Sequence, residues 1–174
     1  DVASANWRIN TLSVFFQEGP GVFGSTPLTL GTATFLQEPT DAPYSVAAAD
    51  LDSDGDLDLA SANWASNRLK VFFQTSPGVF GPQPLSIGDL RVTDRPMAVA
   101  AADVDGDGDL DLVSANNGNE TLTVFFQASP GVFGATPLWI GGVSGSPQSL
   151  AAADLDADGD VDLAFRHQGG QRLV

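Results

Sequence analysis

Asp50-Leu51-Asp52-Ser53-Asp54-Gly55-Asp56-Leu57-Asp58 carries an aspartate at every odd position of a nine-residue stretch. The pattern returns as Asp103-Val104-Asp105-Gly106-Asp107-Gly108-Asp109-Leu110-Asp111 and as Asp154-Leu155-Asp156-Ala157-Asp158-Gly159-Asp160-Val161-Asp162. Two like charges about 4 Å apart repel by roughly 1 kcal/mol in water and by about 4 kcal/mol at an effective dielectric near 20. A segment this dense in carboxylates therefore resists closing into a loop. A hard divalent cation with about six to eight oxygen ligands reverses the sign of that term. The three stretches together predict about three bound calcium ions.

The rest of the composition is unremarkable by contrast. Of 22 acidic residues, 15 sit in the three stretches, which leaves 7 against 7 basic residues elsewhere. The net charge of −15 is therefore local, and three calcium ions would bring it to −9. The basic residues Arg8, Arg68, Lys70, Arg91, Arg95, Arg166 and Arg172 are scattered along the sequence, with no basic stripe for nucleic acid or an anionic membrane. Cysteine is absent, which excludes disulfides, thiol catalysis and thiolate zinc sites. The longest strongly apolar stretch, Met97 to Ala102, falls far short of the roughly 18 residues of a membrane span. No signal peptide is visible, and the chain begins inside a repeat.

Aligning the acidic stretches aligns everything that follows them. Asp1-Val-Ala-Ser-Ala-Asn6-Trp7 matches Asp58-Leu-Ala-Ser-Ala-Asn63-Trp64 and Asp111-Leu-Val-Ser-Ala-Asn116-Asn117. Leu12-Ser-Val-Phe-Phe-Gln17 matches Leu69-Lys-Val-Phe-Phe-Gln74 and Leu122-Thr-Val-Phe-Phe-Gln127. Pro20-Gly-Val-Phe-Gly24 returns at Pro77 and at Pro130. The stretches start 53 and then 51 residues apart, a period that points to stacked structural repeats.

Each unit reads as four short strands: Tyr44–Asp50 with its echoes Met97–Asp103 and Gln148–Asp154, then Asp58–Asn63, then Leu69–Gln74, then Val79 to about Ile87. Val71, Phe72 and Phe73 are consecutive, so both faces of the third strand require cover, as in sheets stacked face to face. The Ala-Ala-Ala run of the first strand suits a place where backbones crowd. This is an all-β fold class: a β-propeller of four-stranded antiparallel blades, here a partial ring of about three. The expected division is a partial blade over 1–36, blades over 37–90 and 91–143, and a partial blade over 144–174, all within one domain.

The acidic loop, the Leu-Ala-Ser-Ala-Asn strand, the Val-Phe-Phe strand and the Gly-Val-Phe-Gly turn together resemble the FG-GAP/VCBS repeats of integrin-α-like propellers, in their bacterial form. The resemblance covers nearly the whole chain. A literal Gly-Ala-Pro triplet is absent, and Ala42-Pro43, Arg95-Pro96 and Ser146-Pro147 stand at the approach to the first strand. The resemblance places calcium between the first and second strands. It implies side-chain ligands at places one, three, five and nine: Asp50, Asp52, Asp54 and Asp58, then Asp103, Asp105, Asp107 and Asp111, then Asp154, Asp156, Asp158 and Asp162. It further implies backbone carbonyls from Asp56, Asp109 and Asp160. Asp1 matches the ninth place of a loop whose other residues are not in this chain. An EF-hand or dockerin-like module would instead want a flanking helix and an acid at the twelfth place, where Ser61, Ser114 and Phe165 stand.

What the resemblance implies for function is an extracellular, cell-surface or periplasmic module for recognition, adhesion or scaffolding, with calcium stapling the blades and no enzymatic role. Its partner would be a protein or glycan, and the remaining blades would come from a longer chain or from another copy. Two alternatives stand beside it. One is a carbohydrate-binding lectin, in which Trp7 and Trp64 stack a sugar beside Asn63, Asn116 and their neighbours. The other is an ancillary domain of a larger extracellular enzyme. Against the lectin, each tryptophan could simply pack on the next blade. Trp139 reads as core, and His167, the only histidine, as a surface residue.

Overall fold

The computed structural model describes residues 1–31, 40–143 and 145–168, and every regular element among them is a β-strand. The expected boundaries at 36/37 and 143/144, and Arg172, touch or lie outside the described residues.

Pro43–Ala49, Asp58–Asn63, Arg68–Phe72 and Leu85–Ile87 form an antiparallel sheet in which each strand pairs with the next in sequence. Pro96–Ala102, Asp111–Asn116, Thr121–Phe125 and Leu138–Ile140 repeat it. Before these, Val2–Asn6, Thr11–Phe15 and Leu28–Leu30 supply the second, third and fourth strands of another unit. After them, Pro147–Ala153 pairs with Asp162–His167 as first and second strands. The register is constant: Ala49 opposes Asp58, Ala102 opposes Asp111, and Ala153 opposes Asp162. All three acidic stretches thus become the loop joining first to second strand. The architecture is a partial β-propeller.

Its core lies between sheets. Leu59 and Phe72 turn back toward Leu12 and Val14 of the preceding unit. Ala60, Ala62, Leu69 and Val71 turn forward to meet Val99, Leu112 and Phe125 of the next. Fully burying a Val, Leu or Phe side chain contributes about 1.5–3 kcal/mol. Both faces of the middle strands are covered, as the consecutive apolar residues require. The first strands run side by side, and the Val99 N–H donates to Ser45 Oγ at 3.3 Å across that seam. Small side chains at Ala47 to Ala49 and Ala100 to Ala102 allow the approach.

The fourth strand is shorter than its sequence suggests. Gln74–Ser76 and Val79–Phe80 fold into a separate two-stranded hairpin around Pro77-Gly78, and the sheet strand resumes only at Leu85. Pro82 and Pro84 lie between them and have no N–H to donate to a ladder. The hairpin recurs at Gln17–Gly19 with Val22–Phe23 and at Gln127–Ser129 with Val132–Phe133. Trp139, expected in the core, is 55% exposed. Its counterparts Thr29 and Ser86 are exposed as well, because the middle residue of this outer strand faces solvent in each unit. His167, read as a surface residue, is half-buried at the end of its strand.

Candidate metal centre

The first aspartate of each loop winds the backbone around itself. Asp50 Oδ1 accepts from the Asp54 N–H at 3.2 Å and Oδ2 from the Gly55 N–H at 3.0 Å. Asp103 accepts from Gly106, Asp107 and Gly108, and Asp154 from Ala157 and Gly159. Such a turn needs a left-handed residue at the sixth place, where Gly55, Gly108 and Gly159 have φ of +94°, +97° and +99°.

The ninth aspartate works differently. Asp58 is fully buried; Oδ2 accepts from the Leu51 N–H and Oδ1 from the Gln74 N–H, both at 2.8 Å. It therefore ties the loop, the second strand and the end of the third together. Asp111 repeats this with Val104 at 2.9 Å and Gln127 at 2.8 Å. Asp162 accepts from Leu155 at 3.0 Å, and Asp1 accepts from Gln17 at 2.7 Å.

These contacts bring together carboxylates of places one, three and nine. In the triads Asp50–Asp52–Asp58, Asp103–Asp105–Asp111 and Asp154–Asp156–Asp162, one oxygen from each residue lies within 4.8 Å of the other two. Oxygens bound to an ion at about 2.3–2.6 Å cannot be more than roughly 5 Å apart, so each triad fits around one such ion. The donors are all carboxylate oxygens, with no imidazole or thiolate to favour a softer metal. Asp52 Oδ1 is buried and has no hydrogen-bond partner among the described residues, the state expected of an oxygen reserved for a cation. The fifth-place residues are not in the triads. Asp54, Asp107 and Asp158 each accept from the N–H two residues on at 2.9 Å. The seventh-place side chains of Asp56, Asp109 and Asp160 also lie outside them.

Burial is the main cause that pushes the Asp58 carboxyl up from 3.8 to about 6; the charges of Asp52 and Asp54 add to it, and the two N–H donors oppose it. Asp111 and Asp52 move in the same direction, again chiefly through burial. A carboxyl whose folded pKa is raised contributes stability at low pH that is lost as pH climbs through the folded value. The metal-free protein is accordingly expected to melt at lower temperature as pH rises from about 4 to about 7. A divalent cation favours the ionised form and reverses the slope. A metal-free melting point that climbs over this interval would contradict the assignment.

A hairpin of the following unit closes the Asp50–Asp58 loop. The Gly131 N–H donates to the Leu51 carbonyl at 2.9 Å and is shared with Gln127 Oε1 at 2.8 Å. A Cβ on Gly131 would stand 3.3 Å from the Asp52 Cβ, at a φ of +74°. Sequence alignment shows Gly131 as a turn residue only; its role against the preceding loop depends on which unit comes next.

At the far end of the sheets, Asn63 and Asn116 are fully buried. Asn63 Nδ2 donates to the Ser61 carbonyl and hydroxyl, and its Oδ1 accepts from the Asp41 N–H. Asn116 Nδ2 donates to Thr121, Thr123 and the Val92 carbonyl. Neither amide is presented to a ligand. Trp7 and Trp64 remain 49% and 36% exposed. The links between units are pinned here by residues with no motif to announce them: the Thr93 hydroxyl donates to the Asn67 carbonyl at 2.6 Å, and the Thr40 hydroxyl to the Asn10 carbonyl. A cleft of about 500 Å³ between Leu85–Ile87 and the Gly131–Phe133 hairpin has Asp89 as its one ionisable lining residue.

No curated protein matches the sequence. The family described as FG-GAP-like repeat matches it three times, over residues 1–61, 50–114 and 103–165, each match running from one acidic loop to the next. This family comprises recognition and scaffolding modules, commonly found outside the cytoplasm. With repeating sheets, loops in constant register and three overlapping matches along nearly its whole length, the chain belongs to the FG-GAP-like repeat family.

Proposed function

We propose that the chain is a calcium-stabilised recognition or scaffolding module that works outside the cytoplasm. The observation that carries this reading is the set of three all-oxygen triads, two of them built around a buried aspartate. Places one, three and nine hold the ion, and the fifth-place side chains with the seventh-place carbonyls complete its ligands. Calcium is favoured over magnesium because magnesium keeps several waters and is rarely held by a dedicated protein cage. Calcium would join the two strands that the loop connects and take no chemical part. A location with millimolar free calcium follows from this use, since moderate sites fill there and stay empty in a cytosol that excludes the ion. Isothermal titration of the metal-free chain is expected to show three bound calcium ions and a much weaker magnesium response. No calcium heat at millimolar concentration would overturn the proposal.

A further inference from the structure

The geometry points to a binding platform for an acidic glycan at the junction of the first two units, on the end of the sheets opposite the acidic loops. Trp7 follows the second strand of one unit, Tyr44 is the second residue of the first strand of the next, and Trp64 follows that unit's second strand. Their rings form a row: Trp7 stacks on Tyr44 with centroids 5.9 Å apart and planes at 22°, and Tyr44 meets Trp64 at 6.3 Å and 48°. Arginines terminate it, with Arg8 Cζ 5.1 Å from the Trp7 ring and Arg95 Cζ 5.6 Å from the Trp64 ring. All three rings are more than one-third exposed.

The fold does not require this row. In the following unit Met97 and Asn117 stand where Tyr44 and Trp64 stand, yet the same backbone bond forms. The Asn117 N–H donates to the Arg95 carbonyl at 3.1 Å, as the Trp64 N–H does to the Ala42 carbonyl at 3.1 Å. Three large rings left partly in water at one junction, two of them replaced at the next, mark an interaction surface.

Its chemistry selects the occupant. Aromatic rings take the apolar C–H face of a pyranose, and a guanidinium offers forked donors that match a carboxylate. A uronic acid unites both features in one ring, and steps of 5.9 and 6.3 Å are comparable with the length of one sugar unit. The charge that selects an acid is local, Arg8 and Arg95 at the two ends of the row; Arg68, Arg91 and Arg166 lie toward the same end of the sheets together with Asp41, Asp89, Asp94 and Glu120, and 15 aspartates crowd the other end. An extended peptide is disfavoured because the nearby backbone donors are spent: the Ala42 N–H donates to Asn10 Oδ1 and the Arg95 N–H to Asn67 Oδ1. A proline-rich segment would leave both arginines idle. The inference rests on the reading of the chain as a recognition module, and its readout is glycan binding, separate from calcium uptake.

The test is calorimetric titration of the calcium-loaded protein, dialysed free of excess ion, with a tetragalacturonate and with its methyl ester. The acid is expected to bind at least about tenfold more tightly than the ester. Tyr44→Met with Trp64→Asn, the residues of the next unit, should weaken binding by about tenfold or more while the melting curve stays in place. Arg8→Gln with Arg95→Gln should erase the preference for the acid. The inference is overturned if acid and ester bind alike, if neither binds at millimolar concentration, if these variants bind as the parent does, or if a proline-rich peptide binds in their place. Glycan binding by a parent chain that shows no calcium uptake would refute the calcium reading and leave this one standing.

Discussion

Stripping calcium with a chelator is expected to lower the melting temperature by about 15–30 °C. A site held at a hundredfold excess of calcium over its Kd adds about 2.7 kcal/mol to the folded state, so three add about 8. For a chain of this length each kcal/mol moves the midpoint by about 2–4 °C. Eight kcal/mol is comparable with the whole stability of an ordinary domain, about 5–15 kcal/mol. Differential scanning calorimetry with and without chelator measures the shift directly. A shift of a degree or two would mean that the loops close without help.

Asp58→Ala is expected to be the most damaging single substitution, with Asp111→Ala close behind it. Removing the carboxylate strands the Leu51 and Gln74 N–H groups, both of which point into a buried site. Leaving one buried donor unsatisfied costs about 1–3 kcal/mol, so the pair costs about 2–6 before any lost calcium is counted. The variant should therefore lose stability even in chelator, by chemical denaturation at fixed pH. Asp56→Asn provides the contrast: its side chain lies outside the triad, and it should change stability by no more than about 0.5 kcal/mol. Equal effects from Asp58 and Asp56 would show that the ninth place has no architectural part.

Much of this was legible in the residues. The acidic stretches and their common downstream pattern are local, because a strand–loop–strand unit with alternating carboxylates specifies its own turn. The propeller follows from repetition plus the two-sided apolar strand around Val71. What escaped depends on neighbours. Pro82 and Pro84 were visible, but that the chain forms an extra hairpin before rejoining the sheet is a matter of how the turn packs. Trp139 was misplaced by its size, although Thr29 and Ser86 at the same position already signalled a solvent-facing site. The aromatic row needs Tyr44 to meet Trp7 and Trp64; the repeat aligns the two tryptophans, but no spacing in the sequence places the tyrosine between them. Asn63 and Asn116, polar and repeated, looked available and are instead spent inside the sheet.

The grip of Gly131 on Leu51 gives the assembly a direction. The Gly131 tip reaches backward in sequence, so the Asp50–Asp58 loop depends on the following unit for its cover. Removing one unit would slacken the segment upstream of the gap, and the one downstream would keep its cover. Such one-way dependence makes order of synthesis matter: a nascent unit can draw its two strands together at once, but its acidic loop is covered only after the next has emerged.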